Sequence, residues 1–167
     1  MKILGIDPGI ALTGFGVVEK NGTRVKAGSY GHISTESGTP VAHRLKILYD
    51  DMVNIIVEYK PDVVAVEELF FNKNAKTAII AAQARGVIIL SAVNNGVEVT
   101  EYTPLQVKQA VIGYGRASKQ QVQFMVKELL SLKEIPKPDD TADALAIAIC
   151  HAHSVDVLRN MTKERSR

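Results

Sequence analysis

Residues 3–9 read ILGIDPG, an apolar run that ends in an acid, a proline and a glycine. Such a run reads as a strand covered on both faces, and the Pro-Gly pair stops it. Asp7 therefore stands at the strand's carboxyl end. The pattern returns at residues 63–68, VVAVEE, where a β-branched and small-residue run closes on Glu67 and Glu68. Between these two runs the rhythm differs. Residues 14–20 and 24–34 read as strands around Asn21-Gly22, a pair that tolerates positive φ and marks a hairpin. After Pro40, Leu45, Leu48, Met52, Ile55, Ile56 and Tyr59 recur at helical spacing, which predicts an amphipathic helix over 41–60.

Beyond Glu68 a loop carries Phe70, Phe71, Asn72, Lys73 and Asn74, followed by an alanine-rich helix over 76–93. Asn95-Gly96 closes that helix, residues 97–102 make a fifth strand, and Pro104 opens another helical segment. The turn Gly113-Tyr114-Gly115 leads to a helix over 118–131, and the last helix starts after Pro136-Lys137-Pro138. From Ser154 the chain is polar and basic, so residues 156–167 are expected to form a flexible tail. Three meandering strands followed by alternating strands and helices predict an α/β fold: a mixed five-stranded sheet, three antiparallel strands plus parallel strands, with helices on both faces. The linker-like stretches are too short to divide the chain, so residues 1–155 are read as one domain.

Composition excludes several classes. The 167 residues suffice for a full core without staples. No apolar run approaches the ~18 residues of a membrane span and no secretory leader is evident, so a cytoplasmic protein is expected. One cysteine, Cys150, has no partner for a disulfide or a thiolate metal site, which fits a reducing compartment. Twenty Lys and Arg against eighteen acids leave +2, too small a surplus to argue nucleic-acid binding by itself.

The acids carry the chemistry. In α/β sheets, ligands bind at the carboxyl edge of the strands, where Asp7 and Glu67 both stand. Neighbouring strands lie ~4.8 Å apart, so two such acids can point into one crevice. Asp140 and Asp143 in PDDTADALAIAIC are three apart, hence on one helix face and about 4.5 Å apart along its axis. Taken singly, each acid has an ordinary reading as a helix cap, a turn former or a solvated strand end. Jointly, four carboxylates in one cleft would repel one another and could not all ionise cheaply, and divalent cations relieve that cost. Oxygen ligands without histidine or cysteine suit Mg²⁺, with Mn²⁺ as a substitute, rather than zinc. Two such ions ~3.5–4 Å apart can activate water and stabilise a leaving 3′-oxygen, which points to hydrolysis of a nucleic-acid backbone.

GIDPG (5–9), TGFGVV (13–18), VAVEELFFNKNAKTA (64–78), AAQARGVI (81–88), EYTPLQVKQAVIGYGRASKQQV (101–122) and DDTADALAIAICHAH (139–153) together resemble the RuvC family of Holliday junction resolvases. The resemblance covers residues 1–155 in order. It implies an RNase H-like fold, a homodimer and Mg²⁺-dependent paired nicking of strands of like polarity across a four-way DNA junction. It also implies contact with the branch-migration proteins RuvA and RuvB. The family's four metal-binding, catalytic acids fall on Asp7, Glu67, Asp140 and Asp143. Glu68 stands where the family varies and is read as a neighbour. Asp139 could replace Asp140 by a slip of one residue, but only Asp140 shares the three-residue spacing with Asp143, which leaves Asp139 as a cap.

DNA affinity comes mainly from cations near phosphates. Lys73 and Lys76 flank the loop after the Glu67 strand, and Lys108, Arg116 and Lys119 follow the fifth strand. The resemblance assigns Lys108 and Lys119 to DNA binding and cleavage; their alternative is a solvated helix face. Phe70 matches a family aromatic near the junction's exchange point, and Phe71 departs from the commoner pattern. Exposed aromatics stack on unpaired bases for ~1–3 kcal/mol each, and one of the pair packing beneath the loop is the alternative.

Gly5, Gly9, Gly14 and Gly16 suggest close backbone packing rather than a nucleotide cradle, since actin-like ATPases need two such domains. His151, His153 and Cys150 read as structural. AIIAAQARG (78–86) permits close helix approach, either on the sheet or in a helix–helix dimer contact, and the family favours the dimer. Two other functions stay open: an RNase H-like nuclease that processes RNA, and a non-catalytic junction-binding scaffold.

Overall fold

The computed structural model describes residues 1–68 and 75–165, with side-chain surroundings for all of these except residues 75, 76 and 156–165. The elements are β1 (Lys2–Asp7), β2 (Leu12–Asn21), β3 (Arg24–Ser34), α1 (Val41–Tyr59), β4 (Val63–Glu67), α2 (Ala75–Asn94), β5 (Glu98–Tyr102), α3 (Pro104–Ile112), α4 (Lys119–Leu129) and α5 (Asp139–Arg165). One sheet in the order β3-β2-β1-β4-β5 holds all five strands. β2 runs antiparallel to β1 and β3, whereas β1, β4 and β5 are parallel neighbours. This is the mixed sheet that the strand pattern predicts.

Strand β4 explains the two layers. Successive side chains point to opposite faces of a strand. Val64 and Val66 accordingly join Leu4, Ile6 and Val17 in a core with Leu48, Met52 and Ile56 of α1 and Ala84 and Ile88 of α2. Val63 and Ala65 join Ile3 and Val18 in a second core with Val107 of α3, Val122 of α4 and Leu145 and Ile149 of α5. An apolar run without alternation is therefore a strand with a helix layer on each side.

Local signals set the boundaries. Gly22 turns the β2–β3 hairpin at φ 60°. Lys60 ends α1 in the left-handed region, its N–H reaching the Ile56 carbonyl at 2.9 Å. Helices α3 and α4 each open with a capping box, Thr103 with Gln106 and Ser118 with Gln121, which satisfies backbone donors that a helix start leaves free.

The backbone of α5 continues to Arg165, beyond the polar change at Ser154. One expectation needs correction. The window Thr77–Asn94 of α2 is, by length and composition alone, apolar enough to cross a membrane, contrary to the expectation that no such run exists. Its alanines and glycine soften the pattern by eye, and its inner residues Ala84, Ile88 and Ala92 pack on the sheet.

Helix α5 lies directly on β1 and β2, and glycines make that approach possible. A Cβ on Gly5 would overlap the Ala144 carbonyl oxygen, and one on Gly14 the Asp140 carbonyl oxygen. The neighbours are backbone, so they cannot swing aside. Gly5→Ala is expected to lower unfolding stability by about 2 kcal/mol or more, measured by urea denaturation. An unchanged midpoint would show that α5 does not sit this close.

Candidate active site

Ile6 pairs with Val66 across the parallel β1–β4 ladder, so the next residues, Asp7 and Glu67, emerge together at the carboxyl edge. Across β1, Asp7 is opposite Gly14, and the backbone of Asp140 rests on that glycine. The first turn of α5 thus delivers Asp140, and one turn on Asp143, to the same edge. Three distant stretches of chain bring four carboxylates within electrostatic reach.

Their ionisation records that crowding. Asp7 is pushed up from 3.8 to about 8, first by burial and then by Glu67, Asp143 and Asp140, with Lys119 opposing. Glu67 is pushed up from 4.5 to about 7 by burial and Asp143, against the pull of Lys108 and Lys119. Burial also raises Asp143, although Lys119 donates to it at 2.9 Å. The same ammonium lies 3.5 Å from Asp139. Lys119 is thus the cation nearest the cluster. A cavity of about 220 Å³ opens beside these groups, with Glu67, Asp143, Lys108 and Lys119 on its polar side and Val107 and Val122 on its apolar side.

The other expected site residues are distributed as follows. Glu68 donates its N–H to the Tyr102 carbonyl at 2.8 Å and continues the edge beyond Glu67. Asp139 is exposed and faces Lys119; among the described residues its side chain bonds no helix N–H, so its role is an ion pair and not the expected cap. Arg116 is exposed on the turn before α4. Phe70, Phe71 and Lys73 lie outside the described residues, as does the side chain of Lys76. His151 meets Thr100 Oγ1 at 3.1 Å and the Tyr102 hydroxyl at 2.9 Å, and His153 meets the Ala110 carbonyl at 3.0 Å. Both histidines tie α5 to its neighbours, and Cys150 is a buried free thiol.

Among the described residues, no three histidine, cysteine, aspartate or glutamate side chains already form a cation cage. The donor set nevertheless fits a hard divalent ion. It consists of carboxylate oxygens from three rigid elements, two of them held near neutrality by burial and mutual repulsion, a cost that a dication removes. The pattern reading missed Arg85. Its guanidinium bridges the Glu67 carbonyl at 3.1 Å and the Glu101 carboxylate at 2.7 Å, a link that only the fold creates.

A mixed five-stranded sheet with acids of β1, β4 and a crossing C-terminal helix at its carboxyl edge belongs to the RNase H-like class. Comparison with known proteins narrows this further. Residues 3–151 match the family described as crossover junction endodeoxyribonuclease RuvC. A protein of that name from Caldanaerobacter subterraneus is 60% identical over 161 residues, covering 96% of this chain and 98% of its own. Another, from Desulforamulus reducens, is 62% identical over 152 residues, covering 91% and 93%. The structure of Thermus thermophilus RuvC in complex with a Holliday junction substrate superimposes with a TM-score of 0.86 at 35% identity, covering 94% of this chain and 96% of that one. The chain belongs to the RuvC family.

The Asp7 carboxyl ionises near pH 4 in the unfolded chain and near pH 8 in the folded one. Between those values the folded state holds the extra proton, so stability falls as pH rises. An asparagine carries no such penalty. In EDTA, Asp7→Asn is expected to gain little in melting temperature at pH 4 and several degrees at pH 8.5. Equal melting temperatures at both pH values would contradict the burial of Asp7 among like charges.

Proposed function

We propose that the protein is a divalent-metal-dependent endonuclease that resolves four-way DNA junctions as a homodimer, by paired nicking of strands of like polarity. The observation that carries this reading is the meeting of Asp7, Glu67, Asp140 and Asp143 at one sheet edge beside Lys108 and Lys119. Those acids would hold two Mg²⁺ ions, with Mn²⁺ as a substitute. Bound there, the metal supplies Lewis acidity at the scissile phosphate and a water of lowered pKa. The protein's own groups do the rest. β1 and β4 fix Asp7 and Glu67 from the sheet, and α5 fixes Asp140 and Asp143 from the layer above, so the donors need little reorganisation. Lys108 and Lys119 attract the phosphate and offset the acids' charge, while Arg116 and the 70–76 segment would extend the contact along the DNA. The apolar wall of Val107 and Val122 limits water on one side of the cleft. A protein acting on recombining chromosomal DNA would work in the cytoplasm.

The exposed face of α2 supports the dimer. Ile79, Leu90 and Val93 are 59%, 52% and 59% exposed, and Gly86 stands between them with open space above it. Residues 79, 86 and 93 are seven apart, which places them on one stripe. An apolar stripe around a bare glycine suits a second helix packed closely against it.

On a synthetic mobile four-way junction with Mg²⁺, the protein is expected to make symmetric nicks. Asp7→Asn should lower the cleavage rate on the order of a thousandfold or more while junction binding persists. Cleavage by the variant at the normal rate would refute the role of Asp7, and preference for an RNA–DNA hybrid or a linear duplex would redirect the substrate. Leu90→Glu is expected to shift the protein to monomer in sedimentation and to leave single, uncoupled nicks; a dimer that persists would place the contact elsewhere.

A further inference from the structure

Glu67 differs from the other three acids in where it stands. Asp7 is followed by the Gly9–Thr13 turn, and Asp140 and Asp143 are on a helix, whereas Glu67 is the last residue of β4. The aim of a carboxylate at the end of a strand depends on the peptide that carries it. The peptide joining Glu67 to Glu68 is held at both of its polar atoms. Its N–H, from Glu68, donates to the Tyr102 carbonyl of β5 at 2.8 Å. Its carbonyl, from Glu67, accepts from Arg85 Nε at 3.1 Å.

Arg85 is itself held. Its Nη2 lies 2.7 Å from Glu101 Oε2, and its side chain is 18% exposed. Glu101 pairs with Val66 in the parallel ladder, one residue short of Glu67. The guanidinium therefore closes a loop from α2 to the end of β4 and to the adjoining strand, using its planar fork to meet two acceptors at once. It reaches Glu67 through the backbone. Besides Asp7 on the neighbouring strand, the charges that act on the Glu67 carboxylate are Asp143, Lys108 and Lys119, from the opposite layer.

We infer that Arg85 is a positioning residue for metal binding: clamped by Glu101, it locks the Glu67–Glu68 peptide and so aims the Glu67 carboxylate into the cleft. The inference rests on the reading of Glu67 as a metal ligand. Groups that orient a metal ligand without touching the metal are worth about 10- to 100-fold in affinity.

Titration of the protein with Mn²⁺, followed by the spectroscopic signal of the free ion, tests this without any turnover. Arg85→Gln is expected to weaken Mn²⁺ binding about tenfold. The Mg²⁺ concentration for half-maximal cleavage should rise by the same factor, with the rate at saturating metal and junction binding in Ca²⁺ near normal. Arg85→Lys, which keeps the charge but lacks the fork, should recover only part of the affinity. If Arg85→Gln melts before the titration, Glu101→Gln at the exposed end of the clamp serves instead, with a smaller weakening expected. A folded variant with wild-type Mn²⁺ affinity would overturn the inference, as would a loss seen only in the saturated rate. A wild-type protein that takes up no Mn²⁺ would overturn the metal reading of the four acids and this inference with it, whereas uptake unchanged by the variants would sink the role of Arg85 alone.

Discussion

The site depends on how closely one helix can lie on two strands. Ordinary helix-on-sheet packing keeps backbones apart by the thickness of their side chains. At Gly5 and Gly14 there is no side chain, and the backbone of α5 occupies the volume a Cβ would need. That contact sets the depth at which Asp140 and Asp143 approach the sheet edge. It also explains the small residues that α5 presents there, since Ala144 and Ala148 meet Gly5 directly. A helix held further out would leave the pair of α5 acids above the edge, and Asp7 would face only Glu67.

Bringing the acids together opposes stability. Asp7 and Glu67 are both driven toward neutrality, chiefly by burial, and the lysines of α3 and α4 offset only part of the cost. Lys119 answers two acids at once, at 2.9 Å and 3.5 Å, yet is itself half exposed, so solvent screens its contribution. The fold carries this cost through its two cores, whose large side chains, among them Ile3, Leu4, Ile6, Leu145 and Ile149, are fully buried on either side of the same strands. Strands buried on both faces resist the local distortion that would separate the charges. A cluster of buried acids that opposes folding is sustained by the most rigid elements of the molecule.

Much of this was legible in the chain. Unbroken apolar runs ending in acid revealed β1 and β4 with their carboxylates, because a strand covered on both faces leaves only its end for polar chemistry. The three-residue step from Asp140 to Asp143 gave one helix face. Glycines near the first strand signalled close packing, and the contacts of Gly5, Gly9, Gly14 and Gly16 agree. Capping boxes at Thr103 and Ser118 were overlooked beside stronger proline and glycine signals. Arg85 was invisible because its partners, Glu67 and Glu101, are 18 and 16 residues away in sequence and adjacent only once β4 and β5 pair. Helix α2 has the apolar length of a membrane span, but its inner residues Ala84, Ile88 and Ala92 pack on the sheet.

Those two faces give α2 more than a packing role. Ala84, Ile88 and Ala92 press on the sheet, Ile79, Leu90 and Val93 look outward, and Arg85 lies between the two sets, aimed at the end of β4. A rotation of the helix that re-buried the outer stripe in this chain would swing the guanidinium off the Glu67 carbonyl. A one-sided apolar pattern with a polar outer face would be the ordinary solution for a helix covering a sheet. Here the outer face exposes Ile79, Leu90 and Val93, so the sheet alone does not account for the residues chosen. The rotation of α2 is therefore constrained by its packing on the sheet and by the clamp at the strand end. The cleft is framed by the ends of β1 and β4 and by α3, α4 and α5, and α2 reaches it only through Arg85 and the backbone of Glu67.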